Sequence, residues 1–190
     1  MSPVDLLEDS FSPTMPSRMP RAPLEPRLEV HRFRAGAVVG TAFLALLLQA
    51  FLPVYMRSAS LLELPLLVTL YFGLSRRNPS RGLLLGMVIG MAQDGLSGSY
   101  VGLFGIALTL VGYLASTIGG RLDVEHPYSR LFLAFFASHF QHVVHALTRR
   151  WLLDEREALF SLTLLLASVI NAVLAVGLFA LLDRLRDTDA

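Results

Sequence analysis

The side chains of this sequence that can do chemistry are few, and most interrupt apolar runs. Glu63 and Asp94 each break such a run, Ser97 follows the aspartate by three residues, and His139, His142 and His145 recur at every third position. Three imidazoles can hold a metal ion, a serine beside a histidine can act as nucleophile and base, and two adjacent carboxyls can share a proton. Each option makes a geometric demand. At about 100° per residue the histidines fan over roughly 120° of a helix, with Arg149 inside the fan. No cysteine or carboxylate completes a known ligand spacing, so the expectation is a polar stripe without metal or other cofactor, hydrogen-bonding across helices with Asn171 and Gln49 as partners. Glu63 and Asp94 lie symmetrically about Asn78-Pro79, a turn signal flanked by Arg76, Arg77 and Arg81. The 12-residue apolar runs 64–75 and 82–93 separate the two acids from that turn. This symmetry predicts carboxyls at matched depth, as neighbours, with Arg57 as a counter-ion.

The elements that must position these groups are membrane helices. Of 190 residues 54% are hydrophobic and 16% charged, and the mean hydropathy is +0.57, beyond the range of an ordinary soluble domain. Apolar segments at roughly 35–56, 58–75, 80–97, 100–120, 129–148 and 158–182 predict an all-α membrane protein, a compact bundle of six transmembrane helices over 35–186. Residues 1–34 hold six of the ten prolines and five arginines without periodicity, which predicts a disordered cytoplasmic tail. With alternating spans, twelve of the sixteen arginines fall on the side of the termini and four on the other, so both termini are expected to be cytoplasmic. All sixteen positive residues are arginine against fifteen acids. A net charge of +1 provides no footprint for nucleic acid, and the absence of cysteine removes disulfides, thiolate catalysis and cysteine-held metals.

Ten of the fourteen glycines lie between 82 and 120. Gly82, Gly86 and Gly90 step by four, and Asp94 is the next position in the row. Small residues at this spacing let helix backbones approach closely, so the seam, continued by Gly98 and Gly102, predicts helix packing or docking of a partner's membrane helix. Glu63, Asp94, Asn171 and the three histidines are expected to be buried polar groups within the bundle.

The run Leu64-Pro65-Leu66-Leu67, Tyr71-Phe72-Gly73-Leu74 and Asn78-Pro79-Ser80-Arg81-Gly82, then Gly86, Gly90, Gln93-Asp94, Ser97, Gly102 and Val111-Gly112-Tyr113-Leu114, resembles the rod shape-determining protein family MreD over roughly residues 60–118. The resemblance implies a non-enzymatic, multi-pass scaffold of the bacterial inner membrane. Its implied partners are MreC, with MreB, the RodA glycosyltransferase and the elongation-specific penicillin-binding transpeptidase nearby. It implies that Gly86, Gly90, Asp94, Gly98 and Gly102 pack or dock. In fold, the family also resembles the substrate-binding subunits of energy-coupling-factor transporters. A small-molecule-binding transport subunit is therefore the second reading, which a polar cavity between spans two, three and five would favour. Gly95-Leu96-Ser97-Gly98 is similar to the serine motif of rhomboid intramembrane proteases. Ser138-His139-Phe140-Gln141-His142, however, lacks the A-H-x-x-G setting of the rhomboid histidine, and the Trp-Arg of the rhomboid first loop is missing. No G-x-S-x-G elbow occurs either, so the protease is a third reading and the chain is not expected to be an enzyme.

Overall fold

The computed structural model describes residues 35–56, 60–76, 78–98, 100–121, 126–155 and 160–186. Among them are six helices and no strand: α1 Ala35–Tyr55, α2 Leu64–Arg76, α3 Pro79–Ser97, α4 Leu103–Ile118, α5 Pro127–Leu153 and α6 Leu162–Arg186. The tail expected over 1–34 and the proposed counter-ion Arg57 lie outside the described residues.

The helix boundaries follow local chemistry. Asn78 caps α3 by accepting from the Arg81 N–H, and Pro79 occupies the first turn, where its missing N–H costs nothing. Gly98, at φ 62°, closes the other end in the left-handed conformation that glycine adopts without strain. Pro127 starts α5, and Asp154 closes it, also left-handed. Hydroxyls along the helices, such as those of Thr69, Thr109, Thr148 and Ser168, donate to carbonyls four residues back, so they make no demand on the apolar surroundings.

α2 is the centre of the molecule. It touches the five other helices, and its ten residues from Pro65 to Leu74 are all buried. With neighbours on every side it has no need of a polar face, which is why its sequence is a continuous apolar run. It begins six residues later than the sequence reading places it, because residues 60–63 form the approach to the helix. The remaining core includes Leu66, Leu67, Phe72, Leu108 and Phe179.

α3 and α4 pack through their backbones. A Cβ on Gly82 would come within 1.9 Å of Ser116 Oγ, on Gly86 within 2.0 Å of the Leu108 carbonyl oxygen, and on Gly90 within 2.5 Å of the Phe104 carbonyl oxygen. Gly112 returns the contact against the Gly82 carbonyl. α2 joins the same layer, with Gly73 against Ala115 and Gly119 against Leu74. The glycine row from 82 to 90 is therefore occupied by a helix of this chain. Gly98 and Gly102 do not extend it: an added Cβ at either meets nothing within 4 Å, and both have positive φ in the turn between α3 and α4.

α1 lies at the edge of the bundle against α2 and α3, and α5 and α6 form a hairpin on the other side. Gly36–Tyr55, Pro127–Leu153 and Leu162–Arg184 are long and apolar enough to cross a membrane, while α2 and α4 are shorter apolar helices. The outer surface is as apolar as the core: Val39, Phe43, Phe51, Phe132 and Phe136 are all more than half exposed. In water so many exposed apolar side chains would be a liability; facing acyl chains they cost nothing.

Candidate functional site at the starts of two short helices

The first constellation surrounds the start of α2. Its opening residues bring backbone groups without helical partners into the interior, where an unsatisfied group costs about 1–3 kcal/mol. Side chains from two helices meet that demand. Gln49 of α1 donates from Nε2 to the Leu62 carbonyl at 2.8 Å and accepts the Leu64 N–H at 3.1 Å. Asn171 of α6 accepts the Glu63 N–H at 2.9 Å and donates to the carbonyls of Leu61 and Ala167 at 2.9 and 3.0 Å. The Glu63 carboxyl turns toward α5, accepting from Gln141 Nε2 at 2.6 Å and Ser138 Oγ at 3.0 Å. His142 Nε2 stands 3.7 Å from the same carboxyl.

Asp94 performs the matching task for α4. Fully buried near the end of α3, it receives three backbone N–H groups: Gly102 at 2.8 Å and Gly105 at 3.0 Å on Oδ2, and Phe104 at 2.9 Å on Oδ1. A carboxylate that accepts the free N–H groups of a helix start also meets the positive end of the helix dipole. Gly105 is buried against this carboxyl, where a Cβ would lie in ordinary van der Waals contact, 3.4 Å from Oδ2. The partner sets of Glu63 and Asp94 have no member in common. In place of the expected carboxyl pair there are two anchors with separate partners, because the Asp94 carboxyl is taken by the start of α4 and the Glu63 carboxyl by Ser138 and Gln141 of α5.

The histidines are half-buried and face three ways, as the fan requires. His139 meets the Phe160 ring at 5.3 Å, His142 approaches Glu63, and His145 lies 4.6 Å from the Phe104 ring. Asn171 and Gln49, expected to partner them, are instead committed to the residue 61–64 backbone, whose open groups outrank an imidazole in the demand for partners. Among the described residues no group of three His, Asp or Glu side chains has the geometry to hold a metal ion. Ser97 donates to the Asp94 carbonyl of its own helix at 3.2 Å rather than to a histidine. It also borders a cavity of about 320 Å³ with Gln49, Ser60, Gln93 and Phe104. That cavity opens between α1, α3 and α4, not between α2, α3 and α5, where the transport reading requires one.

A second polar clasp, two helical turns along α2 from Glu63, was not anticipated. The Tyr71 hydroxyl donates to Asp183 Oδ1 at 2.9 Å, and Asp183 Oδ2 pairs with Arg130 at 2.6 Å. The α5–α6 hairpin is therefore tied to α2 near both ends. Ser138 and Gln141 also escaped the sequence reading as partners of Glu63. Their spacing of three, which puts them on one helix face, was the available signal.

A family model, rod shape-determining protein MreD, matches residues 31–185. No curated protein and no solved structure matches the chain.

Proposed function

The chain belongs to the MreD family, membrane proteins that determine rod shape, and from that premise we propose a non-enzymatic scaffold that docks the single membrane helix of MreC and helps position peptidoglycan-synthesis enzymes. In this reading it is a multi-pass protein of the bacterial inner membrane, and all six helices cross with both termini in the cytoplasm, as the arginine distribution favours. MreB, RodA and the elongation transpeptidase complete the assembly. α2 has 13 residues, a rise of about 20 Å, and so does not reach across roughly 30 Å of hydrocarbon by itself. Irregular backbone is tolerated at membrane depth where protein satisfies it, and Gln49, Asn171 and Asp94 do this for the starts of α2 and α4.

The observation that carries the scaffold reading is that four interior polar side chains are spent on holding helices. Glu63, Asp94, Gln49 and Asn171 all anchor helix starts or join one helix to another. A bundle closed in this way leaves recognition to its outer faces. Because α4 fills the seam at Gly82, Gly86 and Gly90, the docking helix needs another small-residue face, and α1 provides one. Gly36 and Gly40, four apart and exposed, have nothing within 4 Å of an added Cβ.

The test is recovery of MreC with the affinity-tagged chain from mild detergent. Recovery is expected to fall severalfold in Gly40→Leu with the thermal midpoint unchanged. Full recovery would rule out the α1 face, and absence of MreC from the wild-type complex would rule out the scaffold.

A further inference from the structure

Where α4 and α5 pack over α2 they leave an apolar groove of about 240 Å³. Its walls include Leu74 from α2, Leu114 and Ile118 from α4, and Leu133, Phe136 and Phe140 from α5. From Leu133 to Phe140 it follows the helices for about 10 Å at 1.5 Å per residue. Leu114 and Phe136 remain exposed beside it.

One end of this groove is basic. α2 and α4 touch through their backbones at Leu74 and Gly119, where a Cβ on the glycine would lie 2.4 Å from the Leu74 carbonyl oxygen. Arg76 and Arg121 each follow that contact by two residues, so both side chains arise at the end of the groove marked by Leu74 and Ile118. Arg76 is half-buried and Arg121 exposed, and neither forms an ion pair with another described residue. Arg130, in the first turn of α5, is by contrast committed to Asp183.

We propose that this groove and its two arginines form a binding site for one anionic phospholipid, with an acyl chain lying along α4 and α5 and the phosphate held by Arg76 and Arg121. A groove without polar side chains selects a hydrocarbon chain, and two guanidinium groups at its mouth, neither paired with an acid among the described residues, select a negative headgroup. The site rests on the six-span reading only in assigning the lipid to the cytoplasmic leaflet.

The experiment is native mass spectrometry of the full chain, delipidated in detergent and titrated with phosphatidylglycerol, phosphatidylcholine or inorganic phosphate. One phosphatidylglycerol is expected to bind in preference to phosphatidylcholine. Ala137→Phe, which fills the groove, is expected to weaken binding by about tenfold or more. The double variant Arg76→Gln/Arg121→Gln is expected to abolish the headgroup preference while leaving the groove intact, so the proposal stays testable should Ala137→Phe not fold. Unchanged phosphatidylglycerol affinity in both variants would overturn the site. So would displacement of the lipid by inorganic phosphate alone, which would mark a bare anion site. Absence of MreC from the wild-type complex with lipid binding intact would count against the scaffold and leave this site standing.

Discussion

Asp94 shows how one carboxylate can supply a helix with its beginning. Its two oxygens accept three N–H groups of the segment 102–105, and the chemistry of the substitution series follows directly. Asp94→Ala strands all three donors in an apolar interior and is expected to destabilise the protein by about 2–4 kcal/mol. Asp94→Asn keeps one accepting oxygen and turns the other position into a donor, so it is expected to fall between wild type and alanine. Thermal unfolding in detergent measures both, and an alanine variant as stable as wild type would remove the capping role. Glu63 is organised differently. Its backbone N–H is held by Asn171 and its carboxyl by Ser138 and Gln141, so the residue ties α2 to both helices of the α5–α6 hairpin.

At the level of the helices, the distinguishing contact is α3 on α4. Glycines at 82, 86 and 90 bring the two backbones so close that a carbonyl or hydroxyl of α4 stands where each Cβ would be. Gly86→Leu therefore cannot be absorbed by rotating a flexible neighbour. It is expected to cost about 3 kcal/mol or more, since overpacking a tight interface displaces main chain. The check is a thermal midpoint compared with that of Gly40→Leu on the open face of α1, which should not move. Equal stability of Gly86→Leu and wild type would mean that α3 and α4 are further apart than described. The shortness of α2 and α4 belongs to the same picture. Such short helices need not reach the headgroups provided their ends find partners, which Gln49 of α1 and Asn171 of α6 supply for α2 and Asp94 of α3 supplies for α4.

For the molecule as a whole, the open question in the proposed scaffold is orientation, and the absence of cysteine makes it directly measurable. Single cysteines at Tyr100, between α3 and α4, and at Arg121, beyond α4, lie at opposite ends of the bundle. A membrane-impermeant thiol reagent applied to spheroplasts is expected to label Tyr100→Cys, and to label Arg121→Cys only after permeabilisation. The reverse pattern would invert the topology and move the basic groove to the other leaflet. The two clasps at Glu63 and Tyr71 fix the α5–α6 hairpin against α2, so α4 and α5 hold the sides of that groove in a constant relation.

Apolar run length gave the number of helices and most of their boundaries in advance, because a chain poor in charge has few other ways to satisfy its backbone. The Asn78-Pro79 turn, the family likeness and the tight glycine row were legible for the same reason: each depends on neighbours in sequence. Partners were not. Nothing local tells Asn171 to seek the backbone at 61 and 63 rather than an imidazole, or keeps Asp94 with α4 instead of Glu63. Those choices arise when helices distant along the chain meet and the most costly unsatisfied groups are those of helix starts. Which side of the glycine row faces a neighbour, and whether that neighbour is this chain or another, is likewise fixed by packing, since a small residue permits close approach without naming what approaches.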